Sequence, residues 1–544
     1  MRRKSISKVL AAVMACAVAV SGCGGSGQTS GGSSAPAEPG ATGAGEAGTA
    51  AGAAQEGSKT LKIGAASDIM TLDPHDQNQT NTGDLFISIG SQLFKRDLDF
   101  QVKGDLCTEY EQVDDLTWTF KIRDDASFSN GDPITIEDVK WSLDRVSSDE
   151  GLVAYIYFKY IDNVEIVDDA TIKVTTESPR PDMTSLLCMP SSTILPSKFI
   201  EENGMEAYIK EPVSSGPYLL KEWIPDDHYT LTPNPDYYGE PATWEEVVVR
   251  AIPESSTRVS ELLTGGVDLI YNVPVNEWER VSNNTDGYGT SLVYGETSRI
   301  MLMLLRMTDG WVCQDPLVRE AIECAIDKNA ICDTLLLGAG TPTRSRIGSS
   351  VVGFNNDLFG SEKGDMYDPE RAKELLAQGG YSEGQIEVNM TASSGRYLMD
   401  AEMAQMIAAY LEAVGIKVNL ELVDATVLSN MFSAKENKDL FLIGLSDGQY
   451  DGCYPLAQFC DPIRTEGQSD YDNPEIVKLY QQARVEKDPE KRAALSTQIQ
   501  SIAAEDRPQV CIAQMKAIFG VSNRVVLNPR MDTNILPDEV SLAK

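Results

Sequence analysis

Between residues 116 and 146 the chain alternates apolar and polar positions, then changes its period. Leu116, Trp118, Phe120 and Ile122 are apolar and Thr117, Thr119, Lys121 and Arg123 are polar, the repeat of a half-buried strand. A turn rich in Gly, Asp and Asn follows, after which Val139, Leu143 and Val146 fall on one helical stripe. Thr135 stands at the N-cap position with Asp138 three residues later, so the spacing predicts a capping box at the helix start.

The same two periods recur along the chain. Short strands are expected over 61–64, 164–167 and 171–175, the last two separated by an Asp168-Asp169 turn, and a helix over 85–93. A second helix is expected from Pro181, bounded by Pro190 and Pro196, and a third over 257–264. A strand over 300–307 leads to Asp315-Pro316, an N-cap and first-turn pair, and Val318, Ala321, Ile322, Ala325 and Ile326 give that helix its buried face. Asp368-Pro369, Asn473-Pro474 and Asp488-Pro489 open further helices in the same way. Met403, Met406, Ile407, Tyr410, Leu411 and Val414 form a stripe that Gly415 ends, and Ile416, Val418, Leu420 and Leu422 then alternate as a strand. Helix followed by strand is an α/β unit, and a return strand is expected over 510–518.

The run of strand, F-S-N-G-D-P, short apolar link and E-D-V-K-W-S-L-D-R resembles the signature of the family 5 extracellular solute-binding proteins of ABC importers, the peptide- and nickel-binding group. Other stretches follow in that family's order. Thr71-Leu72-Asp73-Pro74-His75 is one, Ser214-Ser215-Gly216-Pro217-Tyr218 is similar to its G-T-G-P-Y element, and Asn234-Pro235-Asp236-Tyr237-Tyr238-Gly239 to its N-P-x-Y-W-G element. The resemblance covers residue 60 to the C-terminus. It implies an α/β, two-lobed periplasmic-binding-protein-like fold of type II, in the large class with an extra subdomain in the first lobe and a hinged cleft between lobes. On that layout lobe I is 60–103, 214–299 and 509–544, the inserted subdomain is 104–213 and lobe II is 300–508. It further implies a monomer without cofactor or catalysis, which captures a small solute, foremost an oligopeptide or dipeptide, and delivers it to ABC permease subunits. A ligand-sensing lipoprotein of the same fold, and a binder of a sugar or other non-peptide solute, stand as alternatives.

Composition narrows the partners. With 46 basic and 82 acidic residues among 544, the net charge is −36, which repels nucleic acid and anionic lipid. The N-terminus reads as an address. Basic residues precede an apolar run over 9–20, too short to span a bilayer, and Val20-Ser21-Gly22-Cys23 fits a lipobox. Residues 1–22 are therefore expected to be a lipoprotein signal peptide, and Cys23 the lipidated N-terminus that ties the protein to the outer side of the cell membrane. Residues 23–59 form a Gly-, Ala- and Ser-rich linker whose composition does not support a core.

Several chemistries are excluded by count. Only His75 and His228 are present, so histidine triads and H-E-x-x-H zinc sites cannot be built, and no C-x-x-C or P-loop motif occurs. A bridge between Cys453 and Cys460 stays open, because sequence does not fix pairing. The stretch 441–459 looks like the family's second-lobe cleft segment, in which an aspartate of peptide-binding members pairs with the ligand's α-ammonium. Asp447 is the nearest match and Asp451 the later acidic position, although Leu445 stands where tryptophan is usual and Gly452-Cys453 replaces the proline. The same aspartates equally suit capping of the loop. Trp311 and Tyr450 are candidate cleft aromatics, with core packing the alternative. Backbone amides of Ser393, Ser394, Arg396 and Tyr397, ahead of the Met403 helix, are candidates to face an anionic group, with an exposed N-terminal turn the favoured alternative.

Overall fold

The computed structural model describes residues 59–543 except 78, 286–288 and 350; the expected signal peptide and Cys23 lie outside them. An 11-stranded mixed sheet runs through the molecule. On one side Thr60–Ala65 pairs in parallel with Glu246–Ala251 and Leu269–Ile270, and His228–Pro233 and Tyr218–Ile224 extend the sheet antiparallel. On the other, Glu387–Ser393 pairs in parallel with Lys417–Val423 and Leu440–Leu445. Two long antiparallel strands, Thr290–Leu305 and Gln509–Ser522, join the sides. Their register shifts between Glu296 and Ile300, and such a bulge bends a strand where the sheet passes from one packed region to the next. The fold is therefore mixed α/β and two-lobed.

The signature stretch forms the strand Thr117–Ile122 and the helix Ile136–Ser148. The strand lies inside a separate 4-stranded sheet with Cys107–Gln112, Thr171–Thr176 and Ile161–Asp168. Val139, Leu143 and Val146 pack with Phe120, Ile172 and Val174 in that sheet's own core. Both halves of the capping box form: Thr135 Oγ1 accepts from Asp138 N at 3.3 Å, and Asp138 Oδ2 accepts from Thr135 N at 2.8 Å. The other carboxylate oxygen, Oδ1, accepts from Ser197 N and Oγ, so one buried aspartate caps a helix and anchors the chain 59 residues on.

Arg145 on this helix reaches the Leu72-Asp73-Pro74-His75 turn, so two of the sequence motifs meet. Its guanidinium bonds both Asp73 oxygens, at 3.0 and 2.6 Å, and donates to His75 Nδ1 at 2.8 Å. Because that nitrogen must accept, His75 is the tautomer whose Nε2–H donates to Thr193 O. Burial, with Arg145 next to it, pushes the His75 pKa down to about 4. Gly216 of the Ser-Ser-Gly-Pro-Tyr motif sits against this region, where a Cβ would come within 2.6 Å of Ser88 O; only glycine fits.

Some elements depart from the pattern reading. The helix expected over 85–93 runs Thr80–Ile89 and stops at Gly90, because Ser91 and Gln92 are drawn into bonds with Ser215 O and Asp105. The helix expected from Pro181 is reduced to the single turn Met183–Leu186, and Pro190 starts a separate 3-10 turn. Pro316–Ala325, Pro369–Gln378, Pro474–Ala483 and Pro489–Asp506 follow the expected caps, with Asp315, Asp368, Asn473 and Asp488 accepting first-turn amides. All eight cysteines among the described residues are free, Cys453 and Cys460 included.

Candidate functional site

A cavity of about 660 Å³ opens between the hairpin over 94–104, the turn after Asp73, the segment over 185–191 and the C-terminal tail over 530–539. Across it, the loop after Leu440–Leu445 contributes Gly448 and Tyr450. The volume is that of a pocket for a small molecule. Its wall mixes charges that already hold one another: Lys95 Nζ lies 3.3 Å from Asp105, whose carboxylate also accepts from Tyr238 Oη and Gln92 N. Arg530 pairs with Asp532 at 2.9 Å and with Glu539 at 2.8 Å. Groups fixed in this way need little reordering when a guest enters.

The two sides touch at Arg96. Its Nη1 donates to Phe100 O and its Nη2 to Gln449 O at 2.8 Å, a bond between residues 353 apart in sequence. The guanidinium lies 5.3 Å from the Tyr450 ring centre, and Tyr450 meets Phe100 edge to face at 4.6 Å. Arg530 covers Phe100 at 5.3 Å, completing an alternation of two cations and two rings. Tyr450 has φ 53°, a left-handed conformation that an aromatic residue seldom adopts and that its surroundings must hold. Lys487 with Asp115 at 2.7 Å, and Arg484 donating to Ser178 Oγ at 3.3 Å, add contacts between the same two sides.

Residues 101–466 match the family described as bacterial extracellular solute-binding proteins, family 5, middle region. The chain belongs to that family. Among relatives of this family 5 protein, the glutathione-binding protein GsiB of Salmonella typhi is 26% identical over 487 residues, 86% of this chain and 91% of that one. The ABC-transporter-associated periplasmic binding protein DppA of Helicobacter pylori, in complex with the peptide STSA, superposes with a TM-score of 0.75 at 24% identity, covering 89% of this chain and 98% of that one. AgaA of A. tumefaciens R10, in complex with agropinic acid, gives 0.73 at 25% identity over 89% and 99%. Family 5 proteins bind and do not catalyse, so the chain is not an enzyme. Among the described residues no helix is long and apolar enough to cross a membrane.

Of the candidate site residues read from sequence, the family 5 fold brings only Tyr450 to the cavity wall. Asp447 is 1% exposed and turned into its own loop, where Oδ1 accepts from Gln449 N at 3.0 Å and Tyr450 N at 2.8 Å. Burial, with Asp451 adding to it, pushes the Asp447 pKa up to about 7. Asp451 pairs with Arg492 at 3.0 Å and caps Cys453 N. Trp311 lies 5.3 Å beneath the Arg306 guanidinium, away from the cavity. The amides of Gly395, Arg396 and Tyr397 do face an anion, but it is the chain's own Asp400, which accepts all three at 2.8 to 3.1 Å. The Tyr397 hydroxyl donates to Gly444 O. Sequence reading missed Arg96, Phe100 and Arg530, which come from a hairpin and a tail without periodic signal. The only local hint was the polar, turn-prone composition at 97–101.

Proposed function

We propose that this chain is the receptor of an ABC importer and captures a short peptide or peptide-like solute in the cavity bounded by Arg96, Tyr450 and Arg530. The single observation that supports this reading most is the cavity itself, walled on one side by the hairpin and the tail and on the other by the Gly448–Tyr450 turn, with oppositely charged groups along it. Such a wall suits a zwitterion, whose ends each find a partner already in place. The bulge at Glu296 and Ile300 in the crossing strands is the hinge in this reading, and contacts from both sides to the guest favour the closed population. Closure then makes the face that the permease subunits read. Cys23 carries the lipid and the linker before residue 60 is the tether, holding a monomer outside the membrane. The likeness to AgaA at 25% identity favours a second reading, a non-peptide organic acid in the same cavity.

Native mass spectrometry of the purified protein, followed by titration with glutathione and short peptides, tests the reading. A co-purified peptide mass, and at least about tenfold weaker binding after Arg96→Met, are expected, since the charge-assisted bond and the ring contact together exceed 1.4 kcal/mol. A tight ligand that carries no amide, or equal affinity in wild type and Arg96→Met, would sink it.

A further inference from the structure

The hairpin over 94–104 is rooted in one apolar core and ends in another. Its base, Leu93 and Phe94, is buried with Phe120 and Ile172 in the core of the 4-stranded sheet. Its tip, Phe100, is 9% exposed and belongs instead to the cluster of Ile347, Val351, Leu456 and Phe459. Phe94–Arg96 and Val102–Gly104 pair antiparallel between the two, so this short arm crosses from one side of the cavity to the other.

The residue at the tip is not the one that the turn favours. Asp97 N bonds Gln101 O at 3.1 Å and Phe100 N bonds Asp97 O at 3.0 Å, which leaves a three-residue loop with Phe100 last, at φ 61°. That left-handed position is ordinarily filled by glycine. A phenylalanine there is strained, and the strain has to be offset by what the ring touches. The ring meets Tyr450 edge to face at 4.6 Å and lies under the Arg530 guanidinium at 5.3 Å. Tyr450 is itself left-handed, at φ 53°, so two strained residues, one from each side, lean on each other. Arg96 spans the contact, with Nη1 donating to Phe100 O at 3.0 Å and Nη2 to Gln449 O at 2.8 Å.

Phe100 is thus held by the far side and not by its own turn, which is the arrangement of a part that can let go. Withdrawing the ring frees two left-handed residues to relax, while the hairpin keeps its backbone bonds and its root. Lys95, Asp97 and Leu98 on the arm, and Gly448 and Tyr450 opposite, all line the cavity, so this contact is where the wall runs on from one side to the other. We propose that the hairpin is a gate of the cavity and Phe100 its bolt. With the ring seated against Tyr450 this wall is shut; with the ring withdrawn the arm swings clear and the solute passes. That a solute passes there rests on the function proposed above, whereas the gate is tested without one.

Phe100→Gly separates the bolt from the turn, because glycine suits the left-handed position and leaves the hairpin its shape. In hydrogen exchange of the ligand-free protein, the amides over 447–452 on the far side should exchange about tenfold faster in Phe100→Gly, the scale of an aromatic pair. Those of Thr117–Ile122 and Pro316–Ala325 should not change. Cys188, which lines the cavity, should react several-fold faster with iodoacetamide, while the fully buried Cys313 stays unreactive and reports that the fold is intact. Phe100→Leu keeps apolar bulk in the cluster but offers no ring to Tyr450 and Arg530. It should fall between wild type and the glycine variant, and it covers the case in which the latter does not fold. Unchanged exchange over 447–452, unchanged Cys188 labelling, or effects confined to residues 94–104 would make Phe100 a residue of the turn alone and overturn the proposal.

Discussion

Glu323 and Asp447 are equally buried carboxylates in the same half of the chain, at 3% and 1% exposure, and they are held in opposite ways. Burial pushes Glu323 up, but Lys328, Arg344 and Arg507, at 3.0, 3.0 and 2.8 Å, outweigh it and hold its pKa down to about 2. For Asp447 burial and Asp451 win, and the two loop amides and Arg346 do not reverse them. The difference shows that burial alone does not decide how a carboxylate is held; what decides it is whether every oxygen has been given a partner. Glu323 ties the helix Pro316–Ala325 to the segment at Arg344 and the end of Pro489–Asp506, far from the cavity. Asp447, half satisfied, sits behind the turn that forms the cavity wall.

The comparison breaks most visibly if the Glu323 hub is emptied. Glu323→Gln leaves Lys328, which is fully buried, and two nearly buried arginines around a neutral amide. Removing one partner of a buried charge cluster costs about 3–5 kcal/mol, and urea unfolding at pH 7 should show that loss. The sign with pH follows from the depressed folded value: stability from Glu323 is fully present above the ordinary value of 4.5 and disappears as pH falls toward 2. A loss below 1 kcal/mol would mean the three cations find other partners, and the contrast with Asp447 would collapse.

Asp447→Asn should move stability the other way. A folded pKa raised from 3.8 to about 7 means the folded state binds the proton more tightly than the unfolded chain. The ionised group therefore lowers stability progressively as pH rises from about 4 to 7, and the penalty is constant above that. The asparagine keeps an acceptor for the two amides and carries no charge, so it should be more stable than wild type at pH 8, by about 1–3 kcal/mol, and nearly equal at pH 4. Taking the difference between variant and wild type removes the contribution of His75, whose lowered pKa weakens the fold as pH falls from 6.5 to 4. A difference that does not change with pH would place the Asp447 carboxylate back in the ordinary range.

How far the sequence could be read follows the same division. The strand and capped helix at 117–148 were legible because their determinants, alternation, Thr135 and Asp138, lie within a few residues of one another. The Pro-started helices were legible for that reason too. The cavity was not, since Arg96 and Arg530 are 434 residues apart and meet only through the fold. Asp447 was found by its order along the chain, yet the direction of its carboxylate is set by the left-handed Tyr450 and two backbone amides, which no pattern of apolar and polar positions encodes. The amides at Gly395 to Tyr397 are taken up by Asp400, a carboxylate three to five residues on that the sequence reading did not single out.

Asp138 supplies the third case and the smallest effect. It is 4% exposed, and both its oxygens are filled by neutral donors, Thr135 N and Oγ1 on one and Ser197 N and Oγ on the other. Thr135→Ala removes one of those donors together with the acceptor for Asp138 N, and loss of an N-cap hydroxyl costs about 1 kcal/mol. Thr135→Ser should restore most of it, because only the hydroxyl is used. Three of the four donors to the carboxylate remain in the alanine variant, so the loss should stay near that figure and well below the one expected for Glu323→Gln. Thermal unfolding of the three proteins at pH 7 reads this directly. A deficit as large as that of Glu323→Gln would show that a carboxylate surrounded by neutral donors depends on each of them as strongly as Glu323 depends on its cations, and a serine variant no better than the alanine one would show that the hydroxyl is not what caps the helix.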